Sequence, residues 1–434
     1  MARMTRSEGR HGRRRGRRAG ARLLTVLLLA GAGGPAAAQE WTLSEAVSRA
    51  VAVAPAVGEA EGTVQRRVGE LDAAGRWPNP RAEVTVGDEV GQELGDDDWR
   101  VQELAVSQPL PVGGRIGERR AAAEAALDAA RAGRAATVLA VERRAAAAFH
   151  RLQAAQRAVA QAEQHLERAR GFERIAERRA AVGDISGRAR QRIRVLAAEA
   201  EAARQDARRE ARAARQRLIT LLQLPADAEP QLPPLTEPAA PPAPEVADAA
   251  ARSHPELDAA RARAEAAERR VAQAEAARIP DLELRLGREA FALGGERESA
   301  YTVGLGVEIP LWRLGNGRVE ARRGEAQRSR QARLATARSL QGDRAASYAR
   351  LTGLLARIAG HEDEVLAPAR SVLRQTREGY RSGDLGLTEL IDAAETVRRA
   401  EQDRRELLLQ AQLQAAELRR ARGERLSNGA EQDE

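Results

Sequence analysis

The chain repeats itself at a spacing of 200–203 residues. Ala54-Pro55-Ala56-Val57 and His254-Pro255-Glu256-Leu257 each open a helical stretch, and Trp77-Pro78-Asn79-Pro80 and Ile279-Pro280 close them. Ser107-Gln108-Pro109-Leu110 matches Glu308-Ile309-Pro310-Leu311, and Gly114-Arg115-Ile116 matches Gly317-Arg318-Val319. Gly183-Asp184-Ile185 matches Gly383-Asp384-Leu385. One supersecondary plan is therefore used twice, over 39–224 and 245–423. Between the two lies 225–244, which holds eight of the eighteen prolines and reads as an extended linker. Residues 424–434 read as a disordered tail.

Each half reads as helix, two strands, long helix, tight turn, helix. Arg115 to Ala181 contains no proline and little turn chemistry. At about 1.5 Å per residue it forms roughly 100 Å of helix. Its counterpart, Arg318 to Tyr380, carries Pro368 as an expected kink. Helices this long call for coiled-coil packing against neighbours. Return helices are expected over about 187–224 and 386–422. With ten aromatic residues in the whole chain, a core of large rings is excluded, and close-packed alanine-rich helices take its place.

The strand windows are 80–90, 99–109, 281–289 and 301–309. Val84 and Val86 alternate with Glu83 and Thr85; Leu282, Leu284 and Leu286 alternate with Glu283 and Arg285. Val303, Leu305, Val307 and Ile309 alternate with Gly304, Gly306 and Glu308. Period two over about ten residues fits a membrane β-barrel strand or a half-buried soluble hairpin. Trp77, Trp99, Phe291, Tyr301 and Trp312 lie in or beside these windows, where an interfacial aromatic girdle belongs.

Residues 1–38 combine an arginine-rich start, the apolar run Leu23–Ala30 and the small-residue site Ala36-Ala37-Ala38. These are the parts of a secretory signal peptide; a basic arm is the alternative. Residues 1–38 hold nine arginines and one glutamate, which is the whole of the formal excess of +8. What remains is neutral, with interleaved charges, so the high pI does not indicate nucleic-acid binding. Cysteine is absent, so neither a disulfide framework nor a lipid-anchored N-terminal Cys is expected. No later apolar run is long enough for a membrane-spanning helix.

This layout resembles the TolC family of outer-membrane factors over about 41–423. WPNPRAEVTV followed by SQPLPVGGRIGERRAAAEAAL is most similar to the heavy-metal-efflux, CzcC-like branch. The resemblance implies a mainly α fold with a small β part: a long α-helical coiled-coil barrel plus four transmembrane strands per chain. Four strands cannot close a barrel, and open edges are not tolerated in lipid. Three chains would close a 12-stranded barrel above a helical tunnel. The implied protein is the exit duct of a tripartite efflux pump. It would sit in the outer membrane, extend into the periplasm and act as a homotrimer. Its partners would be a periplasmic adaptor and an inner-membrane pump of the resistance-nodulation-division type. A type I secretion channel and a periplasmic coiled-coil adaptor are the alternatives.

The resemblance also marks sites. Glycine-bearing tips would meet the adaptor's hairpin, here Val182, Gly183, Asp184, Ile185, Gly383, Asp384 and Leu385. An ordinary helix C-cap explains the glycines equally. Glu389 and Asp392 stand where the family carries paired acids, and a spacing of three puts both on one helix face. In a trimer they would form an acidic entrance ring; a solvated charged face is the alternative. The matching first-repeat positions are Ala189 and Arg192, and Arg192 is a candidate gate partner. No cofactor or metal site is expected. Cysteine is missing, both methionines precede residue 5, and the histidines lack ligand spacing. Phosphate-loop, nucleophile-elbow and zinc-protease motifs are absent, so no enzyme is read.

Overall fold

The computed structural model describes residues 40–88, 100–243, 253–293, 296–309 and 315–427. Residues 1–38, read as a signal peptide, lie outside them. Helix α1 (Leu43–Val53) starts from a capping box. Glu45 N donates to Thr42 Oγ1 at 3.2 Å, and Thr42 N donates back to the Glu45 carboxylate at 2.9 Å. Pro55 breaks the chain there and opens α2 (Pro55–Ala74). Strands β1 (Arg81–Asp88) and β2 (Arg100–Leu110) follow, then α3 (Arg115–Ala181) and α4 (Gly187–Leu222). The second repeat supplies α5 (Pro255–Ala276), β3 (Leu282–Leu293) and β4 (Glu296–Val307). It ends with α6 (Asn316–His361), a π-turn (Glu362–Leu366), α7 (Ala367–Ser382) and α8 (Leu387–Arg422).

The expected kink at Pro368 takes the form of the π-turn that precedes it. Proline offers no N–H, and its ring crowds the carbonyl four residues back, here Glu364. A wider turn over Glu362–Leu366 relieves that crowding. The repeat alignment also shifts by two residues at one point. The glycine at the N-cap of α3 is Gly114, and its structural counterpart before α6 is Gly315, not Gly317.

Along α3 the buried positions run Val138, Val141, Ala145, Phe149 and Leu152, spaced by three and four. In α8 they run Leu390, Ala393, Val397 and Ala400. Both are coiled-coil seams. They close three apolar clusters. One joins α1, α3 and α4, one lies mid-height around Leu351, Ile358 and Leu408, and one sits near the turns.

The linker packs along α3: Leu235 is buried, and Gln153 Nε2 donates to the Pro233 carbonyl at 2.8 Å. Residues 424–427, read as the start of a tail, are also anchored. The buried Glu142 carboxylate accepts from Arg425, from Leu426 N and from Ser427 Oγ. A buried carboxylate is costly without hydrogen-bond donors, and these three residues supply them.

The four strands form one antiparallel sheet in the order β1-β2-β3-β4. The register aligns Val84 with Leu104, Arg288 and Tyr301, and Ala82 with Val106, Leu286 and Val303. The next rows hold Gln108, Leu284 and Leu305, then Leu110, Leu282 and Val307. Over these four rows the face is apolar apart from Arg288 and Gln108, yet exposed, with Val84, Val303 and Leu305 each more than 65 % accessible. The other face carries Glu83, Glu103, Arg285, Glu289, Thr302, Gly304 and Gly306. On it Arg285 pairs with Glu103 at 2.9 Å. β1 and β4 each leave one edge unpaired.

Candidate functional site: the helical turns and the sheet

Both long hairpins turn at a glycine in the left-handed region, Gly183 at φ +75° and Gly383 at φ +95°. Gly183 N donates to Ala180 O, and Asp184 N to Arg179 O. Gly383 N and Leu385 N both donate to Gly379 O at 3.1 Å. These bonds satisfy the last carbonyls of α3 and α7. The first turn hands over to α4 through Ser186, which accepts from Ala189 N at 3.2 Å.

The seven expected docking residues divide by environment. Val182 is 79 % exposed and points away from the helices. Ile185 turns inward and packs on the cluster of Phe172, Ile193, Leu373 and Leu390. Leu385 folds over Gly379, where an added Cβ would come within 2.8 Å of it. Asp184 is held by Arg179 Nε at 2.6 Å, and Asp384 accepts from Ser382 Oγ at 2.6 Å.

Arg179 ties the two turns together. Its Nη1 donates to the Tyr380 carbonyl at 2.8 Å, and its guanidinium lies over the Tyr380 ring, 4.9 Å from the centroid. The bond that Arg179 donates to Asp184 holds the Arg179 pKa above its ordinary value. Burial pushes the Tyr380 phenol up, and the Arg179 guanidinium beside it opposes the shift. Sequence reading missed this pair, whose members lie 201 positions apart.

Beyond the second turn, Glu389 and Asp392 are both exposed and lie outside the Leu390–Ala393–Val397 stripe. Glu389 folds back over Gly386 in the first turn of α8, where the helix dipole favours a negative charge. Neither carboxylate has an ion pair within the chain among the described residues. Arg192 is exposed on α4, and the structure brings it into no pair with either one.

Of the girdle residues, Trp77 is 59 % exposed at the foot of β1, and Tyr301 is 77 % exposed on the apolar face. Phe291 lies in β3 opposite Glu298. Trp99 and Trp312 lie outside the described residues.

A charged cluster that the sequence did not reveal crosses the bundle higher up. Glu401, 7 % exposed, accepts from His165 Nε2 at 3.2 Å, Arg168 at 3.1 Å and Arg370 at 3.4 Å. Burial alone would raise its pKa. The hydrogen bond from His165 and the charge of Arg168 outweigh burial and lower it to about 2. Arg370 and Arg404 both also reach Glu362 in the π-turn, at 3.3 and 3.2 Å.

This fold, paired helical hairpins under a four-stranded antiparallel sheet, is that of solved outer-membrane channels. Residues 246–424, the second repeat, match the family described as outer membrane efflux protein. The outer-membrane channel OprN superimposes with a TM-score of 0.76 at 19 % identity, covering 88 % of this chain and 89 % of that one. The outer membrane protein VceC from Vibrio cholerae does so at 0.74 and 19 %, covering 88 % and 96 %. The open state of the MtrE outer membrane channel of Neisseria gonorrhoeae does so at 0.71 and 20 %, covering 88 % and 89 %. No curated protein matches the chain.

Proposed function

We propose that this chain is the outer-membrane exit duct of a tripartite efflux pump, working as a homotrimer and conducting cargo passively. The observation that carries the reading is the sheet. One face is apolar and exposed, the other is polar, and both edges are open. Lipid accepts the first face, water the second, and neither tolerates the edges. Because the strand number is even, β4 of one chain meets β1 of the next antiparallel, and three chains of four strands close a barrel of twelve. No helix among the described residues is long and apolar enough to cross a membrane.

In this reading Trp77 and Tyr301 lie at the membrane interfaces, and the turns at Gly183 and Gly383 meet a periplasmic adaptor that couples to an inner-membrane pump. Val182, the most exposed apolar side chain of the turns, would be the first contact. Glu389 and Asp392 would form an acidic ring at the tunnel mouth. The likeness to the heavy-metal branch, together with that ring, supports divalent metal ions as one cargo. The membrane fraction should yield a detergent-stable trimer that opens ion-conducting pores in planar bilayers. A monodisperse monomer that conducts would overturn the reading.

A further inference from the structure

The four helices nearest the sheet line a groove of about 580 Å³. Within this layer α2 packs on α3, α3 on α5, and α5 on α6. A cavity that touches all four lies on the hollow side of a curved layer. Arg67 on its wall lies ten residues before Trp77, so the groove begins roughly 15 Å from the sheet. Its floor is alanine, including Ala126, Ala130, Ala266 and Ala267.

Six arginines line it: Arg67, Arg134, Arg263, Arg270, Arg322 and Arg328. The only carboxylate in the lining is Glu325. Arg67 and Arg134 are matched by Glu70 and Glu61, which stand outside the lining, and Arg322 is matched by Glu325. Arg263, Arg270 and Arg328 make no ion pair among the described residues. Three unpaired guanidinium groups from α5 and α6 therefore share one groove. The bond from Arg322, with the charges of Arg270 and Arg328 nearby, holds the Glu325 pKa below its ordinary value. Arg263 lies across Gly133, where an added Cβ would stand 3.6 Å from its Nη2.

We propose that this groove is an anion-binding site in the tunnel wall, taking a molecule that bears two or more phosphate, sulfate or carboxylate groups. The placement in the lumen rests on the exit-duct reading; the anion site itself does not. Guanidinium forks suit such oxyanions, and a cleft walled by protein strengthens their field. The duct then carries opposite signs at its two ends, negative at the mouth and positive below the membrane. An anionic or zwitterionic cargo would bind there, and a metal ion would pass the groove accompanied by such an anion.

Inorganic tripolyphosphate is the probe. At low salt it should block wild-type pores, and Arg263→Gln with Arg270→Gln and Arg328→Gln should need at least about tenfold more for the same block. In parallel, calorimetry should show tripolyphosphate binding to the detergent-solubilised wild type and a similar weakening in the triple variant. Circular dichroism and trimer content would verify that the variant folds. If it does not fold, Arg263→Gln alone should still weaken binding measurably. Pores whose block and binding are identical in wild type and variants would overturn the anion site and leave the duct standing. Binding that weakens as expected in a protein that opens no pores would overturn the duct and leave the anion site.

Discussion

The guanidinium of Arg179, at the end of the first long helix, covers the ring of Tyr380, at the end of the second, 4.9 Å from its centroid. The same side chain holds Asp184 and the Tyr380 carbonyl, so one arginine spans both turns. Arg179→Ala removes all three contacts. Tyr380 is buried, and the stacking alone contributes on the order of 1–2 kcal/mol in such a shielded pair. Amide exchange should quicken at 182–186 and 383–387 together, and Arg179→Lys should fall between. Quickening confined to the first turn would show that the two are not coupled.

The turn glycines should be sensitive to backbone shape and not to bulk. An added Cβ at Gly183 meets nothing within 4 Å, and at Gly383 only Arg179 Nη2 at 3.8 Å. Strain is therefore the whole cost, about 1–2 kcal/mol for a residue with a side chain and more for a β-branched one. Gly183→Val and Gly383→Val should lose efflux in a complementation assay while trimers persist. Gly183→Asn should retain most of it, since asparagine tolerates positive φ. Normal efflux from both valine variants would remove the turns as a docking surface.

Glu389 and Asp392 should act on ions and not on folding. Both are exposed and make no ion pair among the described residues, and such charges contribute about 0–1 kcal/mol to stability. In a narrow mouth their combined field attracts cations. Glu389→Gln with Asp392→Asn should shift the reversal potential in a salt gradient towards lower cation preference. Equal potentials for the two proteins would reduce the pair to a solvated face.

Glu401 should give the bundle an acid-side stability step. Its pKa is about 2 in the folded chain against an ordinary 4.5. The folded value is depressed, so the contribution is fully present above about 4.5 and is lost as pH falls towards 2. The shift corresponds to on the order of 3 kcal/mol. Thermal unfolding between pH 2 and 5 should be steeper in pH for wild type than for Glu401→Gln. The variant should also be less stable at neutral pH, because Arg168 and Arg370 lose a buried partner. Parallel pH profiles would show that Glu401 is not held this way.

Strands and long helices were legible because they are periodic. The alternation of Val303, Leu305 and Val307 with glycines placed β4 on one apolar face, and the proline-free run placed α3 over Arg115–Ala181. Turn glycines were legible because positive φ leaves few alternatives. The pairing of β2 with β3 was not, since it joins the two repeats across 172 positions from Leu110 to Leu282 and leaves no local mark. Arg179 with Tyr380, Glu401 with His165 and Arg370, and Glu142 with Arg425 were hidden for a related reason. In a chain with 71 basic residues, all arginine, almost any carboxylate has a plausible partner, and only the packing of helices decides which one it meets. The groove arginines were obscured likewise: Arg67, Arg134, Arg263 and Arg328 come from four different helices.

The strand order has a consequence for how such an assembly can grow. The junction of β2 with β3 joins the first repeat to the second inside one chain, and in the proposed trimer β4 would meet the next chain's β1 and so join a second repeat to a first. Each chain thus contains a covalent rehearsal of the junction it must make with its neighbour. In that proposal the ring would alternate tethered and untethered seams, and it could be enlarged only four strands at a time. Any force that widened it would be borne unequally: the tethered seams would be held by the segment between the repeats, and the ring would part first where one chain ends and another begins.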